Sequence, residues 1–495
     1  MHKNIILCMH SPLPMLIVTG LLIMLRLEAD SSMPLDLSGR LEPMVDSYLI
    51  EKSNGGVSMR LHTPIDRGRV MAFDQPWEGA FSGYATLIED EGQFHLYYRG
   101  LPSAGQDGST AEVTCYATSD DGLVWRKPEL NLFPLEGYPT NNVVLAHQAP
   151  FSHNFSPFLD RNPEPGLYRF KALAGIASSG LKAFGSTDGM VWTPLGDEPV
   201  FKPDGWVLDS QNVSFWSVSE GKYLCYYRSS VNGVRSIARA SSRDFIHWQA
   251  EGQMVFSDTG TIVPSHHLYT SQTHPYFRAP HVYLATPARF FPGRQVLSEA
   301  EAREVQVHPK YYNDTSDAGL MTSRGGLVYD RTHMEALLRP GMGPGNWVSR
   351  SNYPVLGIVQ TSDTTMSLYT NQDYGQPTAH LHRYEFRLDG LSSWHAGNQP
   401  GWLLTKAFKA NAQGVFFNYW TSASGYLKVE CLDSDLEPIN GYGADEATEL
   451  IGNHINRLYR WQGGGQLRLP ADGIIRLRIH LRDSDLYALR FGPLE

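Results

Sequence analysis

Short runs of alternating apolar and polar residues recur along the chain, as at residues 114–118 and 236–240. A period of two is typical of a β-strand that buries one face. Five such runs lead into a polar turn closed by an aromatic residue, in S-D-D-G-L-V-W (119–125), S-T-D-G-M-V-W (186–192), S-R-D-F-I-H-W (242–248), S-R-G-G-L-V-Y (323–329) and R-L-D-G-L-S-S-W (387–394). The closing aromatic residues lie 67, 56, 81 and 65 positions apart, which predicts a repeated unit of short strands.

The repeats are interpreted as blades of four strands, A to D from the inside outwards, with the polar turn joining C to D. The clearest copy has A at 212–218, B at 222–228, C at 235–240 and D at Trp248. Four further A/B pairs follow the same pattern, at 83–89 with 93–99, 154–159 with 168–174, 268–277 with 281–289, and 355–361 with 366–370. The chain is therefore predicted to be an all-β protein built on a five-bladed β-propeller.

The pattern changes after Trp394 into a second region rich in strands. Its predicted strands are 415–420, 426–431, 474–481 and 486–491. We expect a propeller over residues 30–397 and a C-terminal β-sandwich over residues 398–495. Residues 41–75 are expected to pack on the propeller or to supply a closing strand.

The N-terminal residues 1–29 are interpreted as a signal peptide or an uncleaved anchor, because an apolar run at 13–25 follows Lys3. A secreted, periplasmic or cell-envelope protein is expected, with no stable membrane partner unless the anchor is retained. Removal of this segment would leave Cys115, Cys225 and Cys431, and this odd number at wide spacing predicts neither a disulfide framework nor a metal cluster.

The composition narrows the classes of partner. The 46 glycines and 31 prolines suit a β-protein rich in turns. A net charge of −10 gives no general attraction to nucleic acid, and no helix-turn-helix, zinc-finger or Walker pattern is present. No organic cofactor is expected. A structural calcium ion on the propeller axis is left open, because scattered acids could bind one but no ligand spacing is diagnostic.

Propeller geometry separates the candidate acids by face. The A strands begin on the face where the B-to-C loops emerge, while the C-to-D turns lie on the other face. Asp121, Asp188, Asp244 and Asp389 of the repeats are therefore expected to stabilise turns.

Two acids precede A strands, Glu78 the first and Asp209 the third. Paired carboxylates around an axial pocket are what glycosidic bond cleavage requires. The alternative is that both acids bond only to loop backbone or arginine.

Three B strands end in arginine on the same face, at Arg99, Arg228 and Arg289. Such a group suits bidentate recognition of a carboxylate or sulfate, and equally suits neutralisation of nearby acids. Trp77 could offer a stacking face to a sugar, although most aromatic residues here are expected in the blade core.

Residues 209–216, followed by a glycine turn and an aromatic B strand, resemble the second acid motif of glycoside hydrolase family 32. The blade count and spacing over 41–396 resemble the five-bladed superfamily of families 32, 43, 68, 117 and 130, and uncharacterised secreted family-32-like proteins in particular. The resemblance implies a glycosidase whose propeller carries a C-terminal β-sandwich.

The chain departs from that pattern at two places. No acid stands at Ser82 or Gly83, where the family 32 nucleophile motif would fall, so Glu78 is the nearest substitute. The expected general-acid glutamate before the fourth A strand is replaced by a segment containing His266 and His267, which could act as an acid, bind a sugar hydroxyl or be structural. Asp317, at the end of the long fourth B-to-C loop, is the preferred third acid.

The sequence as a whole predicts a glycoside hydrolase that cleaves a polysaccharide or oligosaccharide by carboxylate acid/base chemistry. The arginines favour an anionic glycan. The alternative is a non-catalytic glycan-binding propeller, consistent with the loss of the general-acid glutamate. A lyase or a sialidase-like enzyme is a third interpretation.

Overall fold

The computed structural model describes residues 34–205, 207–410 and 413–494, so the predicted signal segment lies outside the described residues. Within these ranges the fold is almost entirely β, with one short helix at Glu299–Glu304. No helix in this part of the chain is long and apolar enough to cross a membrane. Cys115, Cys225 and Cys431 are buried free thiols.

The propeller has five blades of antiparallel strands, as predicted. Blades 1 to 3 each have four strands in sequence order. Blade 1 has the strands Gly83–Asp90, Gln93–Gly100, Val113–Ser119 and Val143–Leu145. Blade 2 has Ser156–Leu159, Phe170–Ile176, Gly180–Ser186 and Thr193–Pro194. Blade 3 has Val213–Ser217, Lys222–Val231, Val234–Ser242 and Trp248–Gln253. Neighbouring inner strands contact one another, and a backbone bridge between Thr86 and Leu356 joins blade 1 to blade 5.

Blade 4 is split into an upper and a lower sheet, where the sequence predicted continuous A and B strands. The upper sheet has His267–Leu268, Ala288–Phe291 and Thr315–Ala318, and the lower sheet has His274–Tyr276, Ala279–Ala285 and Met321–Ser323. Pro287 stands at the break in strand B, where it cannot donate a ladder hydrogen bond. The outer strand Val328–Tyr329 pairs in parallel with Val255–Phe256.

Blade 5 is completed by the N-terminal part of the chain. Its own segment supplies Tyr353–Pro354, Val359–Gln360, Thr365–Gln372 and His380–Arg387. The outer strand is Ile65–Ala72, which pairs antiparallel with His380–Arg387 and places Met71 opposite Leu381. The expectation that residues 41–75 supply a closing strand is confirmed.

The repeated turns behave as predicted in blades 1 to 3. The carboxylates of Asp121, Asp188 and Asp244 each accept two backbone hydrogen bonds from the residues that follow. Asp389 differs, because the outer strand of blade 5 comes from the N-terminus and the chain leaves the propeller here. Its buried carboxylate accepts hydrogen bonds from Tyr276 and Arg278 instead.

A ten-stranded sheet forms the second part of the protein. Its strands are Leu35–Asp36, Leu41–Pro43, Ile50–Asn54, Ser58–Leu61, Ser392–Ala396, Gly401–Thr405, Phe408–Lys409, Gly414–Leu432, Asn453–Leu458 and Ile474–Gly492. Residues 35–61 therefore pair with the C-terminal region, which corrects the boundary that put residues 30–397 in the propeller. The two 19-residue strands offer edges that need these additional partners.

The two long strands give this sheet its sandwich form. Their pairing shifts register between Thr421 and Tyr426, so each strand is divided into two halves. Side chains from both halves, including Phe417 and Val429, share one buried core. Four predicted strands are thus two continuous strands with a bulge, a feature that strengthens local twist and bending.

Buried charge links the sandwich to blade 4. Glu42 pairs through its strand with the C-terminal strand, while its carboxylate contacts His281, Arg324 and Arg40 at 2.8–2.9 Å. Burial by itself would raise the pKa of Glu42, but the hydrogen bond from His281 and the charges of both arginines lower it to about 2. The ionised form of Glu42 is therefore favoured by folding.

We expect Met71→Ala to destabilise the protein by about 2–5 kcal/mol, because Met71 is buried in the core between blades 5 and 1. Urea unfolding measures this change. Ile65→Ala is the matched control in the same strand: Ile65 is 55% exposed, so its truncation should change stability by less than about 0.5 kcal/mol. Equal effects of the two substitutions would contradict a closing role for this strand.

Glu42 should make the stability of the protein depend on acid pH. Because the pKa of Glu42 is lower in the folded protein than in the unfolded chain, its contribution is complete above the unfolded value and is lost as pH falls towards 2. The free energy of unfolding should therefore fall more for wild type than for Glu42→Gln between about pH 5 and pH 2, by on the order of 3 kcal/mol. Parallel pH profiles would contradict this assignment.

Candidate active site

Glu78 lies outside the axial pocket, which corrects its assignment as a catalytic acid. Its side chain is fully buried, and its carboxylate accepts hydrogen bonds from Tyr98 Oη at 2.5 Å, Lys127 Nζ at 2.7 Å and the Gln75 amide at 2.9 Å. These three donors stabilise the charge and leave no route for a substrate. Glu78 is a structural counter-ion within blade 1.

Trp77 also faces away from the axis. Its indole Nε1 donates to Asn142 Oδ1 at 2.9 Å, and its ring packs against Tyr138. Both aromatic residues line a cleft of about 500 Å³ beside the outer strand of blade 1. The structure therefore does not bring Trp77 together with Asp209.

Asp317 and Arg289 neutralise each other on adjacent strands of blade 4. Arg289 donates through Nε at 2.6 Å and Nη2 at 2.7 Å to the two carboxylate oxygens of Asp317. Of the two interpretations of Arg289, the structure shows neutralisation. Asp317 has little capacity left to act as a third acid.

His266 and His267 are partly buried, His266 near Arg289 and His267 near Arg235. Burial, together with Arg289 for His266 and Arg235 for His267, lowers the pKa of both imidazoles. Nδ1 of His267 accepts a hydrogen bond from the Arg235 amide at 3.3 Å. Neutral imidazoles at neutral pH are poor substitutes for a protonated glutamate.

A cluster of arginine and tyrosine side chains occupies the face where the A strands begin. Each member lies near the start of an inner strand or the end of the strand that follows it, which is why the topology brings them together. We call this group the axial mouth; its residues are Tyr84, Arg99, Arg228, Tyr269, Arg350 and Tyr374.

Cation–π contacts hold the axial mouth together. The guanidinium of Arg228 lies 4.6 Å and that of Arg350 5.6 Å from the Tyr269 ring centre, while Arg99 lies 4.6 Å from the Tyr84 ring. Arg99 also donates to Tyr374 Oη at 2.8 Å. The arginine heads are thus fixed in position before any ligand binds.

Two carboxylates border the axial mouth and reach solvent. Asp209 is 52% exposed, with Oδ2 at 3.5 Å from Arg228 Nη2. Asp107 is 38% exposed, with Oδ1 at 2.9 Å from Arg99 Nη1 and Oδ2 at 3.9 Å from Arg350 Nη1. The structure places Asp209 at the face where the A strands begin, and it adds a second carboxylate that the sequence analysis missed.

The environment fixes the protonation states of the axial mouth. Burial would raise the pKa of Asp107, but Arg99 and Arg350 outweigh it and lower the pKa. Burial raises the pKa of Tyr84 well above its usual value. At neutral pH Asp107 is an anion and the Tyr84 hydroxyl keeps its proton.

Asp107 also belongs to a group that could hold a metal ion. Ligand atoms of Asp107, Glu112 and His153 all lie within 4.8 Å of one another. His153 Nδ1 is 2.8 Å from Glu112 Oε2 and 3.0 Å from Oε1, and the Gly108 amide donates to Oε2 at 2.7 Å. Glu112 and His153 are buried, so Asp107 is the member open to solvent.

A cavity of about 670 Å³ opens at the other end of the axis, where the inner strands finish. Its walls are mainly apolar and aromatic, with Phe158, Phe215 and Tyr276 among them. Among its described lining residues only Glu89 carries a carboxylate. Glycosidic cleavage uses a pair of carboxylates, so this cavity is the weaker candidate for the active site.

Several solved structures are similar to this chain. No family model and no curated protein matches the chain. It is similar to an N-acetylgalactosamine deacetylase from F. plautii, solved with blood group B trisaccharide, at 13% identity over 68% of this chain and 96% of that one, with a TM-score of 0.44. It is also similar to a thermostable family-43 glycoside hydrolase, at 12% identity over 63% of this chain and 91% of that one, with a TM-score of 0.37.

A further similar structure is a fructofuranosidase from Schwanniomyces occidentalis complexed with fructosylnystose. It is 9% identical over 86% of this chain and 96% of that one, with a TM-score of 0.38. Glycoside hydrolases of the kind the sequence resembles are thus among the similar structures. At such identities and TM-scores the likeness decides no residue role, and the site is defined by the contacts described above.

Glu78→Gln should reduce the stability of the protein. The substitution removes the charge that faces Lys127, and we expect a loss of about 1.5–3 kcal/mol in the free energy of unfolding. Glu136→Gln, at an exposed position of the same blade, is the control and should be nearly neutral. A Glu78→Gln protein with wild-type stability would contradict the role of Glu78 as a structural counter-ion.

Proposed function

We propose that the protein is a glycoside hydrolase that acts on an anionic polysaccharide or oligosaccharide at the axial mouth. The observation that carries the proposal is the pair of exposed carboxylates, Asp107 and Asp209, that border one arginine- and tyrosine-lined mouth. Cleavage of a glycosidic bond needs one group to protonate the departing oxygen and a second to attack carbon or activate water.

The environments of the two carboxylates suggest different roles. Asp107 is held as an anion by Arg99 and Arg350, which suits the group that attacks carbon, activates water or stabilises the oxocarbenium-like transition state. Asp209 is the other carboxylate at the axial mouth and the more exposed of the two, so it is assigned the role of protonating the leaving oxygen. No organic cofactor takes part in this scheme.

Charge at the axial mouth supports an anionic substrate. Arg99 and Arg350 both lie within 4 Å of the single carboxylate of Asp107. The planar guanidinium groups of Arg99 and Arg350 match the oxyanions of a sulfate or uronate group, which supports an anionic substrate. Polymeric glycans of this kind occur outside the cytoplasm. The proposal therefore includes export of the protein to the cell envelope or the medium.

A second candidate is a glycan-binding propeller without catalysis. The observation in its favour is that Asp107 and Asp209 both lie against arginines, an arrangement that also serves to fix a binding surface. Under this alternative the arginines bind the glycan and the carboxylates only position them.

Asp209→Asn should reduce product release by about 100-fold or more, because it removes an acid/base group while preserving shape. Wild type, Asp209→Asn and the control Asp204→Asn, at an exposed site in the preceding loop, are incubated with sulfated, uronate-containing and neutral polysaccharides. Reducing-end assays and mass spectrometry follow the products. We expect wild type and Asp204→Asn to release oligosaccharides from an anionic polymer.

Two outcomes would change the proposal. Binding of anionic glycans by all three proteins, with no product from any, would favour the binding alternative. Cleavage of neutral polymers alone would retain the hydrolase and reject the anionic substrate.

A further inference from the structure

Glu112 is a buried carboxylate that, among the described residues, has no arginine or lysine in direct contact, although the charge of Arg99 acts on it. Its side chain is fully buried, and within the described residues its carboxylate has the Gly108 amide and His153 as hydrogen-bond partners. Buried Glu42 provides a comparison, because it contacts Arg40, Arg324 and a histidine. A buried carboxylate is costly unless hydrogen bonds and positive charge compensate it.

Unpaired polar side chains flank the histidine of the same cluster. Ser152 and Asn154 stand on either side of His153 in the chain, and both are about 2% exposed. Within the described residues, the Ser152 hydroxyl and both amide atoms of Asn154 have no hydrogen-bond partner. Polar groups at such depth are normally satisfied by protein, water or an ion, and these atoms belong to the two residues next to His153.

We propose that Asp107, Glu112 and His153 bind one divalent transition-metal ion. Two carboxylates and one imidazole supply three ligands of types that first-row divalent ions accept. Three protein ligands leave coordination positions for water or substrate. Because Asp107 is the exposed ligand, those positions open towards the axial mouth.

The observed distances suit a first-row ion after a small adjustment. Ligand atoms of a tetrahedral ion at about 2.1 Å from each ligand lie about 3.4 Å apart. His153 Nδ1 and Glu112 Oε2, now 2.8 Å apart, would separate by roughly half an ångström, and Asp107, within 4.8 Å, would move inwards. In binding the ion, Asp107 would exchange its 2.9 Å contact with Arg99 Nη1 for a contact with the metal.

The ligand types favour Zn²⁺ or Mn²⁺ over Ca²⁺. Calcium takes six to eight oxygen ligands, whereas this group includes an imidazole nitrogen and only two carboxylates. The site shares Asp107 with the proposed hydrolase site. Metal binding itself does not depend on glycan cleavage, and in the loaded protein Asp107 would act as a metal ligand.

The test uses the full chain, freed of metal with EDTA and titrated with Zn²⁺, Mn²⁺ and Ca²⁺ by calorimetry. We expect one Zn²⁺ or Mn²⁺ per chain, a higher melting temperature with either ion, and no comparable effect of Ca²⁺. His153→Gln should weaken binding by at least about tenfold. His281→Gln is the matched control. His281 also pairs with a buried glutamate, Glu42, at 2.9 Å, but this pair does not belong to the candidate metal group, so the substitution should leave metal affinity unchanged.

Equal metal affinity in wild type and His153→Gln, or no binding by wild type, would overturn the proposal. If His153→Gln does not fold, Asp107→Asn replaces it, with the visible absorption of bound Co²⁺ as the measurement; a Co²⁺ spectrum unchanged by Asp107→Asn would also overturn it. Asp209→Asn separates this site from the proposed function. A metal-loaded Asp209→Asn protein that cleaves nothing retains both proposals, whereas metal binding by a wild type that cleaves no glycan retains only the metal site.

Discussion

Closure of the fifth blade by an N-terminal strand is the constraint on which the rest of the structure depends. The segment that follows blade 4 supplies the inner strands of the last blade but no outer one, and Ile65–Ala72 pairs with its exposed edge. An unpaired edge exposes backbone donors and acceptors, so this pairing closes the ring and satisfies them together. It also places residues 35–61 beside the point where the chain leaves the propeller, where they join the second sheet.

The closed ring determines which side chains meet at the axis. Blades 1, 3, 4 and 5 contribute arginine and tyrosine residues at the same end of their inner strands, and these pack into one group. The tyrosine rings hold guanidinium groups that carry positive charge at low solvent exposure. The long arginine side chains of this surface are therefore ordered during folding, before any ligand binds.

Acids in this protein serve two different purposes that sequence position does not separate. Glu78 forms an ion pair with Lys127, and Asp317 forms one with Arg289, each within a single blade. Asp107 and Asp209 remain accessible to solvent at the axial mouth. Glu112 belongs to neither group, since it is fully buried and its carboxylate contacts His153. All four paired acids have a cation within reach, and they differ in exposure: Glu78 and Asp317 are 0% and 17% exposed, whereas Asp107 and Asp209 are 38% and 52% exposed.

The sequence by itself determined the all-β class, the five blades, the turn role of Asp121, Asp188 and Asp244 and the approximate strand positions, because these follow from local periodicity and turn chemistry. It also pointed to Asp209, through the rule that inner strands begin on the functional face. Only the tertiary structure decided that Glu78 is buried against Lys127 and that Asp317 pairs with Arg289. It also brings Asp107, Glu112 and His153 together. These depend on contacts between residues far apart in the chain, and burial and ion pairing of a carboxylate cannot be read from its neighbours in sequence.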